Sequence, residues 1–297
     1  MAALNYATEY SSALANAFPY KLFFGDLYAT PNNNRYRWVN AKTIEIPHLT
    51  TTGRVNASRD TIGTASRNFD NDWETKTLSN QRKWSTLVHP KDIDQTNYVA
   101  TIANITKTFN EFQKFPEMDA YTISRIFSQW SAITGNVAST TVLTLSNVLD
   151  EFDNMMLKMD NARVPVQGRI LYVTNEVNLL IKNANKISRS ISVENGPNGI
   201  DRRISRLDEV TIKPVPAELM KTVYDFTSGW TADATAKQIN MALVHPLVVI
   251  TPVSYSFASL DAPSAMSEGK WVYYEESFED VFILNKQSAG IQFNVEA

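Results

Sequence analysis

Tyr36-Arg-Trp-Val-Asn-Ala-Lys-Thr-Ile-Glu-Ile46 alternates between apolar and polar side chains, and Trp73-Glu-Thr-Lys-Thr-Leu-Ser-Asn-Gln-Arg-Lys-Trp-Ser-Thr-Leu-Val88 answers it with threonine, tryptophan and charge. A period of two is the pattern of a strand. The two stretches therefore predict the arms of one β-hairpin across residues 36–91. Roughly 25 polar residues lie between them, and a compact domain rarely supports a structureless connection longer than about 15 residues. Such a hairpin has almost nothing of its own to bury and needs a surface outside itself to lie on. That requirement points to contact between copies of the chain and away from an enzyme.

Outward from the hairpin, the pattern changes. Residues 5–17 predict a short helix, and Pro31-Asn-Asn-Asn34 a turn into the first strand, since proline and asparagine suit turn geometry. The segment before that turn reads as an arm, with enough apolar residues to dock but too few for a core. After His89-Pro90, Tyr98, Ile102, Ile105, Phe109 and Phe112 recur at helical spacing, with Asp92 or Asp94 as the expected N-cap. Pro116 interrupts this stripe and Ile123, Ile126, Trp130 and Ile133 resume it, which predicts one long kinked helical spine. Ser146 is expected to cap a third helix with Leu149, Phe152, Met156 and Met159 inside. Gly168-Arg-Ile-Leu-Tyr-Val173 then reads as a strand, and Thr174-Asn-Glu-Val177 as the start of a helix.

Glu194-Asn-Gly-Pro-Asn-Gly199, next to Arg202 and Arg203, reads as an exposed tip. The last third is strand-rich, at Val210–Lys213, Ile239–Val244, Leu247–Ile250, Trp271–Tyr274, Val281–Leu284 and Ile291–Val295. Prolines at 214, 216, 246, 252 and 263 mark strand starts or edge strands. The fold class is α+β.

At 297 residues, with 43% hydrophobic and 20% charged residues, the chain can bury one core or two joined lobes. Its net charge of −3 gives no global attraction to nucleic acid. No cysteine occurs, which excludes disulfides, thiolate nucleophiles and cysteine-bound zinc. The N-terminus lacks the pattern of a signal peptide, and no apolar run approaches the ~20 residues that span a bilayer. The expectation is a chain made and kept in the cytosol, with no membrane partner.

Chemistry finds little support. His48, His89 and His245 each lie near a proline, match no metal spacing, and read as half-buried imidazoles bonded to nearby backbone. No GxSxG elbow supports a nucleophile, and neither GxGxxG nor GxxxxGK[ST] is present to hold phosphate. Glu275 and Glu276 are strand neighbours that point to opposite faces, so they do not converge on one site. No cofactor and no metal is expected. The competing reading from another class is a cytosolic hydrolase that uses His89 or His245 with the acidic cluster.

Charge is segregated, with nine Lys or Arg against five Asp or Glu over residues 36–91 and one Lys against six acids over 261–280. A head-to-tail contact between identical subunits needs such an arrangement. It nominates Arg54, Arg59, Arg67, Trp73, Arg82, Lys83 and Trp84 from the hairpin. Facing them would be Glu275, Glu276, Glu279 and Asp280, with Arg202 and Arg203 at the tip. The alternative is two unrelated solvated faces. The hairpin arginines could also touch nucleic acid, although no basic helix or known reading motif accompanies them.

The order of parts carries a resemblance, borne by Tyr36-Arg-Trp-Val39, Trp84-Ser-Thr-Leu-Val-His-Pro-Lys-Asp-Ile-Asp-Gln-Thr-Asn97, Phe115-Pro-Glu-Met-Asp-Ala-Tyr121, Gly168-Arg-Ile-Leu-Tyr-Val-Thr174 and Ser254-Tyr-Ser-Phe-Ala-Ser-Leu-Asp-Ala-Pro263. Over essentially its whole length the chain resembles major capsid proteins of tailed bacteriophages with the Hong Kong 97-like fold, especially those of phages of Gram-positive bacteria. The resemblance implies an N-terminal arm at 1–35 and an extended loop at 36–91. It implies a peripheral domain, with the spine helix and a long sheet, at 92–140 and 245–297, and an axial domain at 141–244. The implied partners are other copies in pentamers and hexamers, a portal protein, a scaffold protein, and packaged double-stranded DNA bound without sequence specificity. The implied location is the virion head, assembled in the bacterial host cytoplasm. An encapsulin-type compartment shell is the nearest alternative of the same fold. No residue matches the lysine and asparagine that some relatives crosslink.

Overall fold

The computed structural model describes residues 22–57, 59–60, 63, 67–96, 100–184 and 206–297. The helix expected over 5–17, Tyr98 of the helical stripe, and the tip with Arg202 and Arg203 lie outside the described residues.

Strands β1 (Arg37–Asn40), β2 (Thr43–Thr51) and β3 (Phe69–Thr77) form an antiparallel sheet in that order. β2 and β3 pair without a break from Thr43↔Thr77 to Thr51↔Phe69. The hairpin is present, but its arms are divided differently from the expectation. The first arm breaks at Ala41-Lys42, and the second ends at Thr77, so that β4 (Gln81–Val88) belongs to another sheet. The turn between β3 and β4 has a physical cause. Leu78 is buried with Ile44, Ile46, Ile250, Phe278, Phe282 and Leu284, while Ser79 N donates to the Asp280 carboxylate at 2.8 Å. Each such buried side chain stabilises by about 1.5–3 kcal/mol. The root of the hairpin is therefore fastened to its own chain, whereas Leu49–Thr51 and Phe69–Trp73 farther out are exposed among the described residues.

The spine is continuous helix through Ile102–Phe109, Asn110–Lys114 and Phe115–Ser131. Thr101, not Asp92 or Asp94, caps it, its hydroxyl accepting from Asn104 N at 3.3 Å. The two aspartates belong to a separate short helix, Pro90–Gln95, capped by His89. Pro116 lacks an N–H and its ring crowds the preceding turn. The helix passes it by widening into a π turn over Asn110–Lys114. Asp119, fully buried, accepts from Phe23 N at 2.8 Å and Phe24 N at 3.0 Å, which ties the residues before the hairpin to the spine.

The central sheet runs β15 (Ile291–Val295), β10 (Ile239–Val244), β5 (Ile170–Thr174), β7 (Val210–Val215), β6 (Arg206–Leu207). β5 and β7 are parallel and the other pairs antiparallel. Ile170 and Tyr172 face the core that holds Phe24, Ile123, Trp130 and Phe293, while Leu171 and Val173 face Phe152, Met155 and Ile181. With both faces covered, β5 is buried at every position, so it reads as a continuous apolar run. The helix Asn175–Asn183 starts where expected, and Thr174 caps it, accepting from Val177 N at 3.3 Å. The helix Val148–Asn161 starts from Asn147, not Ser146, and buries Val148, Glu151, Phe152, Met155 and Met159; Leu149 and Met156 are only partly buried. Pro214 lies beyond the reach of the short β6, on an edge where its missing donor is harmless.

Two short pairs complete this part, β8 (Tyr224–Asp225) with β9 (Thr231–Ala232) and β11 (Val249–Ile250) with β14 (Phe282–Ile283). The third sheet runs β12 (Val253–Asp261), β13 (Trp271–Glu279), β4, all antiparallel. β12 was not expected as a strand. Where β15 enters the central sheet, Gly290 has no room for a side chain: a Cβ there would lie 2.5 Å from Val248 Cγ2.

Candidate intersubunit surface

The three-stranded β12–β13–β4 sheet lies against the π turn of the spine with one face, while on the other face Tyr255 and Phe257 are exposed among the described residues. Register assigns the faces. Glu275 stands opposite Trp84, and Glu276 opposite Lys83, so successive residues alternate sides. On the spine side, Trp84 stacks on Phe109 with ring centroids 3.9 Å apart, Glu275 pairs with Lys114 at 3.1 Å, and Arg82 pairs with Glu117 at 2.6 Å. Arg82 also donates to the carbonyls of Phe226 at 2.6 Å and Gly229 at 3.4 Å. These groups surround a cavity of about 280 Å³ between sheet and spine.

Two carboxylates at the end of β13 behave differently. The Asp280 side chain is fully buried and accepts from Ser79, from Tyr121 Oη at 2.7 Å and from Val281 N at 2.8 Å, with Arg125 at 3.4 Å as its counterion. Burial pushes the Glu279 carboxyl above its usual range, opposed by Lys114 and reinforced by Glu117. A carboxyl raised on folding adds stability that is complete below its unfolded value and is lost as pH rises through the folded one. Glu279→Gln is therefore expected to raise Tm at pH 7–8, with the gain vanishing toward pH 4. Thermal unfolding across that range checks it; a gain independent of pH would contradict it.

Arg82, Glu275 and Asp280 are each paired within the chain, with Glu117, Lys114 and Arg125 of the spine and not with one another, and Lys83 stands opposite Glu276 across the same sheet. Trp84 is likewise stacked within the chain. The remaining hairpin residues are different. Arg54 and Arg59 are exposed in the connection, Arg67 lies over the Phe69 ring at 5.2 Å, and Trp73 is exposed beneath Arg37 at 4.2 Å. Leu49, Val55 and Phe69 are exposed beside them. One face of the β2–β3 ladder thereby presents Pro47, Leu49, Phe69 and Trp73, a row of apolar residues exposed among the described residues.

The histidines serve the backbone in two cases of three. His89 Nδ1 accepts from Lys91 N at 3.1 Å, and His245 Nδ1 accepts from Leu247 N at 3.2 Å while its Nε2–H donates to the Gln167 carbonyl at 3.1 Å. Burial, with Arg169 nearby, lowers the affinity of His245 for a proton. His48 departs from the expectation and contacts Glu74 at 2.9 Å, within the hairpin root. Among the described residues no group of three or more His, Asp or Glu is placed to hold a metal ion, and no helix is long and apolar enough to cross a membrane.

No protein-family model and no curated protein matches this sequence. Solved structures do match. A structure from Mycobacterium phage Che8 is 10% identical, with a TM-score of 0.65 over 95% of this chain and 93% of that one. The mature capsid of bacteriophage PhiM1 is 13% identical, with a TM-score of 0.66 over 95% and 89%. The capsid of the cyanophage P-SCSP1u is 11% identical, with a TM-score of 0.65 over 96% and 90%. Hairpin, spine helix, central sheet and third sheet together therefore make up the Hong Kong 97-like fold.

Proposed function

We propose that this chain is the major capsid protein of a tailed bacteriophage, a structural subunit that assembles as pentamers and hexamers into the icosahedral head. The reading is supported by its likeness to a mature phage capsid over 95% of the chain, together with a hairpin whose outer strand ends are exposed among the described residues. In this proposal residues 1–35 are the arm and 36–91 the extended loop. Residues 92–140 and 245–297 form the peripheral domain, and 141–244 form the axial domain. β15 adds its strand to the axial sheet.

Residues 49–73, with Arg54, Arg59, Arg67 and Trp73, lie across the neighbouring subunit, and the tip with Arg202 and Arg203 approaches the capsomer centre. Each contact is weak, but a closed shell repeats it many times, and multivalency turns modest affinities into a durable particle. The interior surface needs only to tolerate phosphate, without reading bases. A scaffold guides assembly, a portal occupies one vertex, double-stranded DNA fills the virion, and the shell is built in the host cytoplasm. The test is electron microscopy of the purified chain, alone and co-expressed with a scaffold from its own gene neighbourhood. Closed icosahedral particles are expected; a chain that stays monomeric at all concentrations under both conditions would overturn the proposal.

A further inference from the structure

The open edge of β12 stands apart from the other open edges of the described sheets. Natural edge strands are protected by charge, proline or bulges, because an unpaired row of N–H and C=O groups invites another strand. β3 follows the rule with Asp70, Asp72 and Glu74, and β4 with Arg82 and Lys83. β12 is nine residues long, carries no charge before Asp261, has no proline within it, and confines its register irregularity to Val253–Tyr255. Among the described residues, its backbone from Tyr255 to Leu260 makes no hydrogen bond on the side away from β13. Tyr255 and Phe257 lie exposed and stacked on the face away from the spine, ring centroids 6.4 Å apart.

We propose that the β12 edge pairs antiparallel with the β12 edge of a second copy across a local two-fold axis. The sequence is self-complementary about Phe257, the midpoint of the strand. Phe257 faces Phe257 of the other copy, Tyr255 faces Ser259, Ser256 faces Ala258, and Val253 faces Asp261. No like charges meet, whereas the same pairing of β3 with a copy of itself about Trp73 would set Asp72 against Glu74. The four aromatic rings join into one cross-strand cluster, and the two three-stranded sheets become one of six. An isologous contact of this kind is what a local two-fold between neighbouring capsomers requires. The inference rests on the shell reading for its setting, but the pairing itself is tested separately.

The chain has no cysteine, so a single introduced thiol can bond only to its counterpart. Directly opposed antiparallel residues have Cα atoms about 4.5–5.5 Å apart, within disulfide reach. Phe257→Cys particles treated with diamide, which takes up the two hydrogens of the thiol pair, are expected to shift to dimer mobility on a non-reducing gel. Tyr255→Cys should stay monomeric on the same gel, because the two thiols would sit about 13 Å apart along the strands. Should Phe257→Cys fail to fold, the Ser256→Cys/Ala258→Cys pair replaces it with the same expected dimer. Particles in which Phe257→Cys stays monomeric, or links no better than Tyr255→Cys, overturn the pairing. A chain that never forms particles, but whose Phe257→Cys variant still links in solution, keeps the pairing and removes the shell reading instead.

Discussion

Trp130→Ala is expected to destabilise the fold by about 3–5 kcal/mol, the range for deleting a large aromatic from a packed interior. Trp130 is 1% exposed at the C-terminal end of the spine. Its ring meets Phe293 of β15 edge-on at 5.2 Å, and its Nε1 donates to the Ser288 carbonyl at 3.1 Å. Removing it opens a cavity where three parts meet, namely the spine, the last strand and the loop before it, and leaves the Ser288 carbonyl without this donor. Phe127 also meets Phe293 at 5.2 Å but is only partly buried, so Phe127→Ala should lose less. A domain's total stability is about 5–15 kcal/mol, so the Trp130 change removes a large share of it. Denaturant midpoints of both variants measure the effect. A Trp130→Ala loss no larger than that of Phe127→Ala would mean that the spine and central sheet do not share one cooperative core.

What was legible in the sequence, and what was not, follows from the range of the forces. The helix start at Thr174–Val177, the apolar run of β5 and the spine stripe are local patterns, and the structure contains each of them. The split of the second hairpin arm into β3 and β4 was not legible, because it depends on Ser79 meeting Asp280, 201 positions away in sequence. β12 was missed because Ser-Tyr-Ser-Phe-Ala-Ser is weakly apolar and stays exposed; pairing with β13, not burial, makes it a strand. The opposed charges of 81–84 and 275–280 were visible, but Coulomb attraction does not distinguish a partner on the same chain from one on a neighbour. Only the register of β4 on β13 assigns them to one subunit.

That assignment makes two adjacent basic residues separable. Arg82→Glu places a carboxylate against Glu117, where the guanidinium now lies at 2.6 Å, and strips the carbonyls of Phe226 and Gly229 of their donor. Loss of hydrogen bonds from a charged group costs about 1.5–3 kcal/mol, and the like-charge contact adds to it. Lys83 points to the opposite, solvated face across from Glu276. Lys83→Glu should therefore cost under about 1 kcal/mol, the scale of a like-charge cross-strand pair. Pairing within the chain predicts that Arg82→Glu lowers the denaturant midpoint of the subunit and that Glu117→Arg in the same molecule restores part of it. Any loss of particles in Arg82→Glu then follows from loss of folding. Lys83→Glu leaves folding nearly intact, so a drop in its particle yield would report the surface between copies directly. If Arg82→Glu unfolded at the wild-type midpoint yet gave no particles, the Arg82–Glu117 contact would have to form between subunits, and the β4–β13 register would be exchanged across the shell.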